Sequence, residues 1–215
     1  MNSKVLTIVL CVAIGFAIIG LTDSLTSHMQ LPGSNQGYEP VQPIAYSHRL
    51  HAGELQIDCL YCHFGAEQTK AAGVPPVNVC MNCHSFITAP YNVIRHEDEQ
   101  ATKEGRKAEQ IVSAELARLF TYRDSSMSTA IGTGSSIPWV RIHALPDFVY
   151  FNHSAHVHAE IECQKCHGEV QTMERVRQVE DLTMGWCVNC HREFDGKPIQ
   201  TRTLTPPTDC VGCHY

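Results

Sequence analysis

Cys59-Leu60-Tyr61-Cys62-His63 decides how this chain reads, because its pattern returns four more times. The other copies are Cys80-Met81-Asn82-Cys83-His84, Cys163-Gln164-Lys165-Cys166-His167, Cys187-Val188-Asn189-Cys190-His191 and Cys210-Val211-Gly212-Cys213-His214. Cys-x-x-Cys-His is the attachment site of a c-type haem. The two thiols reach the two vinyl groups of one porphyrin and form thioethers. The adjacent His lies under the iron and binds it from one side. The pattern therefore predicts five haem c, held by Cys59, Cys62, Cys80, Cys83, Cys163, Cys166, Cys187, Cys190, Cys210 and Cys213. The proximal ligands are His63, His84, His167, His191 and His214. A tetrahedral zinc site is the competing reading. Zinc does not require a His directly after every second Cys, and here all five pairs have one.

The chain has 215 residues, 11 Cys and 13 His. The motifs use ten Cys, which leaves Cys11 as a small hydrophobe in an apolar run. Eight His remain beyond the proximal five, enough to give each iron a second imidazole. With about 39 residues per porphyrin outside the first 21, the protein is too small to build a conventional core around each one. The haems themselves are expected to form the core, wrapped by irregular chain and short helices, with little sheet. The formal charge of −6 argues against nucleic acid as a partner, since phosphate binding needs a basic face.

Residues 5–21 read VLTIVLCVAIGFAIIGL without a charge, at the short end of what spans a bilayer. Lys4 precedes the run and no Lys or Arg follows until Arg49. That asymmetry predicts a single-pass anchor with a cytoplasmic N-terminus and a periplasmic haem domain at the bacterial inner membrane. A cleaved signal peptide is the alternative. The expected divisions are an anchor over 1–22, a linker over 23–42, a dihaem module over 43–91, a helical insert and loop over 92–137, and a trihaem module over 138–215. His28 in the linker and His96 just ahead of the insert's helix read as solvated residues. Ala108, Val112, Leu116, Leu119 and Phe120 share one face of a helix expected over about 98–121. Its stripe is expected to pack on the haem body, with docking to another subunit as the alternative. Glu99 and Lys103 are spaced to pair along it.

An internal repeat runs through the chain. Residues 45–63 (AYSHRLHAGELQIDCLYCH) and 150–167 (YFNHSAHVHAEIECQKCH) share an aromatic residue, His-x-x-His, a short apolar run and a haem motif. The match continues to a second motif, VCMNCH in one copy and WCVNCH in the other. Three residues apart on one turn of helix, the paired rings point to nearly the same side, so each pair can serve two neighbouring haems. His48, His51, His153 and His156 are therefore the expected distal ligands, with His143 as the fifth. Met173, Met184 and His158 are alternative distal candidates. Met127 and the tryptophans Trp139 and Trp186 read as packing residues.

The paired His ahead of Cys-x-x-Cys-His resemble the class III multihaem cytochromes c. The wording AAGVPPVNVCMNCH, IPWVRIHALPDFVYFNHSAH and LTMGWCVNCHRE, with the N-terminal anchor, resembles the pentahaem subunit of alternative complex III. The resemblance implies a non-catalytic electron-transfer subunit of a menaquinol-oxidising membrane complex. It also implies three partners: an iron–sulphur subunit, a quinol-binding membrane subunit and a monohaem cytochrome c. Two other functions compete. A multihaem nitrite or hydroxylamine reductase needs an iron with an open face, and five complete motifs with ample His weigh against it. A single-anchor quinol dehydrogenase shares the layout, but the repeat and the long insert fit it less well.

Overall fold

The computed structural model describes residues 10–18, 35–123 and 135–214. His28, Met127 and most of the expected anchor and linker lie outside them. Within them the chain is irregular with short helices, as expected. Residues 10–18 form α1, whose apolar side chains are largely exposed. Among the described residues no helix is long and apolar enough to cross a membrane. The only sheet among them is a two-stranded antiparallel ribbon, β1 (Pro198–Ile199) and β2 (Arg202–Thr203).

The motifs sit on short helices: α2 (Cys59–Cys62), α4 (Val77–His84), α8 (Gln164–His167) and α9 (Met184–Phe194). The fifth forms a 3₁₀ turn, Cys210–Gly212. Local capping starts three of them. Asp58 accepts from the Leu60 amide at 2.7 Å, Thr183 from Trp186 at 3.3 Å, and Asp209 from Gly212 at 2.9 Å. Each side chain satisfies a donor that the helix start leaves free. A motif is thereby turned into a helical loop that presents both thiols and the His to one side.

The remaining helices are α3 (Gly65–Gln68), α5 (Tyr91–Glu104), α6 (Ala114–Phe120) and α7 (His153–Val157). The single helix expected over 98–121 is in fact two, α5 and α6. Gly105 closes α5 in the left-handed region at φ 65°, and the Arg106 amide donates back to the Ala101 carbonyl. Such a C-terminal cap is what glycine favours. The chain then runs extended until Ser113 starts α6. Glu99 meets Arg95 rather than Lys103. The apolar side of α6 does pack inward. Leu119 joins Ile44 and Ile137 in a buried cluster, flanked by Leu116, Val77 and Cys80 of the second motif.

The two sequence copies are fastened to each other by exchanged backbone bonds. The amides of His153 and Ser154 donate to the carbonyls of Lys70 and Thr69. The Arg49 amide donates to Met173. Thr69 and Met173 each stand six residues after the His of their own motif, and Ser154 and Arg49 each follow the first distal His of their copy. The contact is therefore reciprocal. α3 packs on α7, and the π-helical turn Arg49–Glu54 packs on the 3₁₀ turn Val170–Thr172. Residues 35–42, expected as free linker, lie against the second copy. Asn35 donates to Ile142, and Gln42 exchanges two bonds of 2.9 Å with Val140.

Candidate haem sites

None of the 11 cysteines forms a disulfide. The thiols crowd together motif by motif. Burial and then the neighbouring Cys62 thiol push Cys80 up. Burial and then Cys190 and Cys187 push Cys166 up to about 11. Burial and then Cys213 raise Cys187. Burial and then Cys59 raise Cys163.

Seven histidines share one arrangement, in which Nδ1 is held by a main-chain carbonyl. Among the motif His, His63 donates to Gly73, His84 to Ile87 and His191 to Pro207. Among the others, His51 donates to Ser47, His153 to Lys70, His156 to Asn152 and His158 to Ser154. A carbonyl can only accept, so Nδ1 must carry the proton. Nε2 then keeps its lone pair, and the ring orientation is fixed. This is the outer-shell partner that metal-bound His require. Burial and then nearby imidazoles also keep several rings neutral. His48 is lowered to about 4 by burial, then His63 and His51. His167 is lowered to about 4 by burial, then His143, His153 and His63. Burial likewise lowers His143 and His156. Neutral imidazole is the form that binds metal.

Three ring pairs stand at a metal-bridging distance. His51 and His84 are 6.1 Å apart between ring centres, His153 and His167 6.4 Å, and His156 and His191 6.1 Å. Two imidazoles binding one iron from opposite sides, with bonds of roughly 2 Å and about 1 Å from nitrogen to ring centre, have centres about 6 Å apart. The donor set therefore fits haem iron. Nδ1 of His48 is buried without a partner. His143 is placed differently from the other expected distal residues. Its Nε2 lies 3.3 Å from Nδ1 of His167, with ring centres 4.4 Å apart, too close for one iron to sit between. His214 packs on Phe148 at 5.6 Å. Met184 is 70% exposed, and Met173 enters through its carbonyl. His96 and His158 are exposed.

Sequence reasoning noted one aromatic residue per copy without giving it a role. Tyr46 stacks on His51 at 4.4 Å and stands edge-on to His48 at 4.8 Å. Phe151 stacks on His156 at 4.6 Å and stands edge-on to His153 at 4.8 Å. One flat ring thus sets both imidazoles of each pair, parallel to one and perpendicular to the other. Its place two residues before His-x-x-His in both copies was the signal available in the sequence.

Residues 149–215 match the family model described as cytochrome c7 and related cytochrome c. That match covers about a third of the chain; with the repeated motifs and the facing imidazoles, it supports a multihaem cytochrome c. The cytochrome is also similar to the multihaem cytochrome c subunit of menaquinone reductase from Nitratidesulfovibrio vulgaris. The two are 25% identical over 126 residues, which is 59% of this chain and 45% of that protein. The cytochrome thus spans less than half the length of that relative.

Proposed function

We propose that the cytochrome carries five haem c and passes electrons from haem to haem at the periplasmic face of the inner membrane. On this reading it is a subunit of a menaquinol-oxidising complex of the alternative complex III kind. The three imidazole pairs at 6.1–6.4 Å carry the proposal. An iron held on both sides has no open face for a substrate, so one-electron exchange with a neighbour is the chemistry left to it. Bound haem c supplies that reversible one-electron change. The chain's own residues fix its position. Ten thiols hold the porphyrins, paired imidazoles hold the irons, and main-chain carbonyls hold the imidazoles. His48 pairs with His63, His51 with His84, His153 with His167, and His156 with His191.

Residues 5–21 anchor the chain, with residues 23–42 leading to the haem modules at 43–91 and 138–215. The partners are an iron–sulphur subunit, a quinol-binding membrane subunit and a monohaem cytochrome c or other periplasmic acceptor. The similarity to a menaquinone reductase subunit favours a second reading of direction, in which electrons run toward the quinone. Purification from native membranes tests both. The expected result is a chain with the mass of five haems, a low-spin spectrum, and co-purifying iron–sulphur and quinone-binding subunits. Bare polypeptide, or a high-spin iron that turns over nitrite or hydroxylamine, overturns the proposal. Electron delivery from reduced acceptor to menaquinone, without the reverse, selects the second direction.

A further inference from the structure

The order of the haem sites in space is not the order of their motifs in the chain. Four neighbour relations fix it. The first and second motifs adjoin: the Asn82 amide of the second donates to the Tyr61 hydroxyl of the first at 2.9 Å, and the turn that bears His51, just ahead of the first motif, faces His84 of the second. The third and fourth adjoin in the same way, because α7 carries both His153, facing His167, and His156, facing His191. The fourth and fifth adjoin, because His191 donates to the Pro207 carbonyl and Pro207 packs on Gly212 within the fifth motif.

The remaining relation links the two copies. The segment after the first motif holds the start of α7 through Thr69 and Lys70, and the segment after the third holds Arg49 through Met173. This exchange is reciprocal at equivalent positions, so it describes a local two-fold relation between the copies. The segments that make it, α3 and the turn Val170–Thr172, directly follow the first and third motifs, so those two motifs lie beside the joint.

We propose that the five sites form one unbranched row in the order His84, His63, His167, His191, His214. The first and third motifs meet at a pseudo-two-fold, and the second and fifth form the two ends. The row rests on the reading of the five motifs as haem sites. It follows that electrons enter and leave beside His84 and His214, while the site first in sequence lies inside. Two dihaem modules are joined head to head, and the fifth site extends one arm.

Iron-edge anomalous diffraction from the haem-loaded full chain tests the row, with each iron assigned by its two thioethers. The expected result is that the iron on His63 has the irons on His84 and His167 as its two nearest neighbours. The irons on His84 and His214 should have one near neighbour each. An iron on His63 whose neighbours are those on His84 and His214 overturns the row, as does any branch point. Fewer than five irons defeats the five-haem reading instead. The irons that remain must then still keep the stated sequence, and a swapped one overturns the row.

Discussion

The ring of His153 donates from Nδ1 to the carbonyl of Lys70, 83 residues earlier, at 2.9 Å. A proposed iron ligand of the second copy is thus aimed by a loop of the first. The converse bond runs from the Arg49 amide to Met173. The residue equivalent to Lys70 in the second copy is Glu174, and Nδ1 of His48, the counterpart of His153, is buried without a partner. One side of the exchange has three bonds, from His153 twice and from Ser154, and the other has only that of Arg49. Buried polar groups are rarely left without a partner.

His153→Ala and His143→Ala separate a ligand from its neighbour. His153 stands across from His167 at bridging distance, whereas His143 touches the Nδ1 side of that ring. His153→Ala is expected to keep the haem count at five and to convert one iron to high spin. His143→Ala is expected to stay low-spin and to shift the potential of one haem, since a ring hydrogen bond is lost. His48→Ala should behave as His153→Ala does. Intact mass, electron paramagnetic resonance and a redox titration read all three variants. A high-spin iron in His143→Ala makes His143 the distal ligand instead.

Gly53→Ala probes the joint between the copies. A Cβ at Gly53 overlaps the Gln171 carbonyl, so the turn Arg49–Glu54 can pack on Val170–Thr172 only without one. Overpacking of this kind costs about 1–3 kcal/mol. The expected result is a lower unfolding midpoint in denaturant. The loss of low-spin signal should begin at the His51–His84 site, because His51 rides on the displaced turn.

The repeat was legible because haem chemistry demands fixed types at fixed spacing, and the proposed attachment residues rest on that spacing. The His-x-x-His pairs were legible for the same reason, and the imidazole spacings at His51, His153 and His156 agree with them. The break at Gly105 was written in the sequence too, but the apolar period carries on from Ala108 to Phe120 and masked it. The fastening of His153 by Lys70 left no trace. Its acceptor is a backbone carbonyl 83 residues away, and every residue supplies one. The position of His143 was unreadable for a related reason, because a lone His lacks the spacing that pairs provide.

Glu97 gives the insert an acid-sensitive clamp. Its carboxylate accepts from the Arg106 guanidinium at 2.5 and 3.2 Å and from the Glu109 amide at 2.9 Å. Those bonds, Arg106 first, hold the carboxyl down at about 2, below its ordinary 4.5. The unfolded chain therefore takes up this proton first as pH falls. The stability contributed by Glu97 is full above pH 4.5 and is lost between 4.5 and about 2. Hydrogen exchange of residues 91–113 at pH 5 and pH 3 should show protection falling in the wild type. Glu97→Gln should be less protected at pH 5 and change less between the two. An equal change in both proteins removes Glu97 from the account.

Deleting residues 1–21 and supplying a cleaved signal tests the proposal that residues 5–21 hold the cytochrome at a membrane. α1 exposes Leu10, Val12, Ile14, Phe16 and Ile18, each at least half accessible. An apolar helix with no protein to cover it gains by entering lipid. Its nine residues reach only about 14 Å, well short of a typical hydrocarbon core of roughly 30 Å. The truncated chain, made alone, is expected in the soluble fraction with five haems and an unchanged low-spin spectrum. Made together with the other subunits of its complex, it should return to the membrane and leave on a high-salt wash more readily than the intact chain. If the truncated chain alone stays membrane-bound after that wash, the attachment lies in the haem domain, and residues 5–21 are not what holds it.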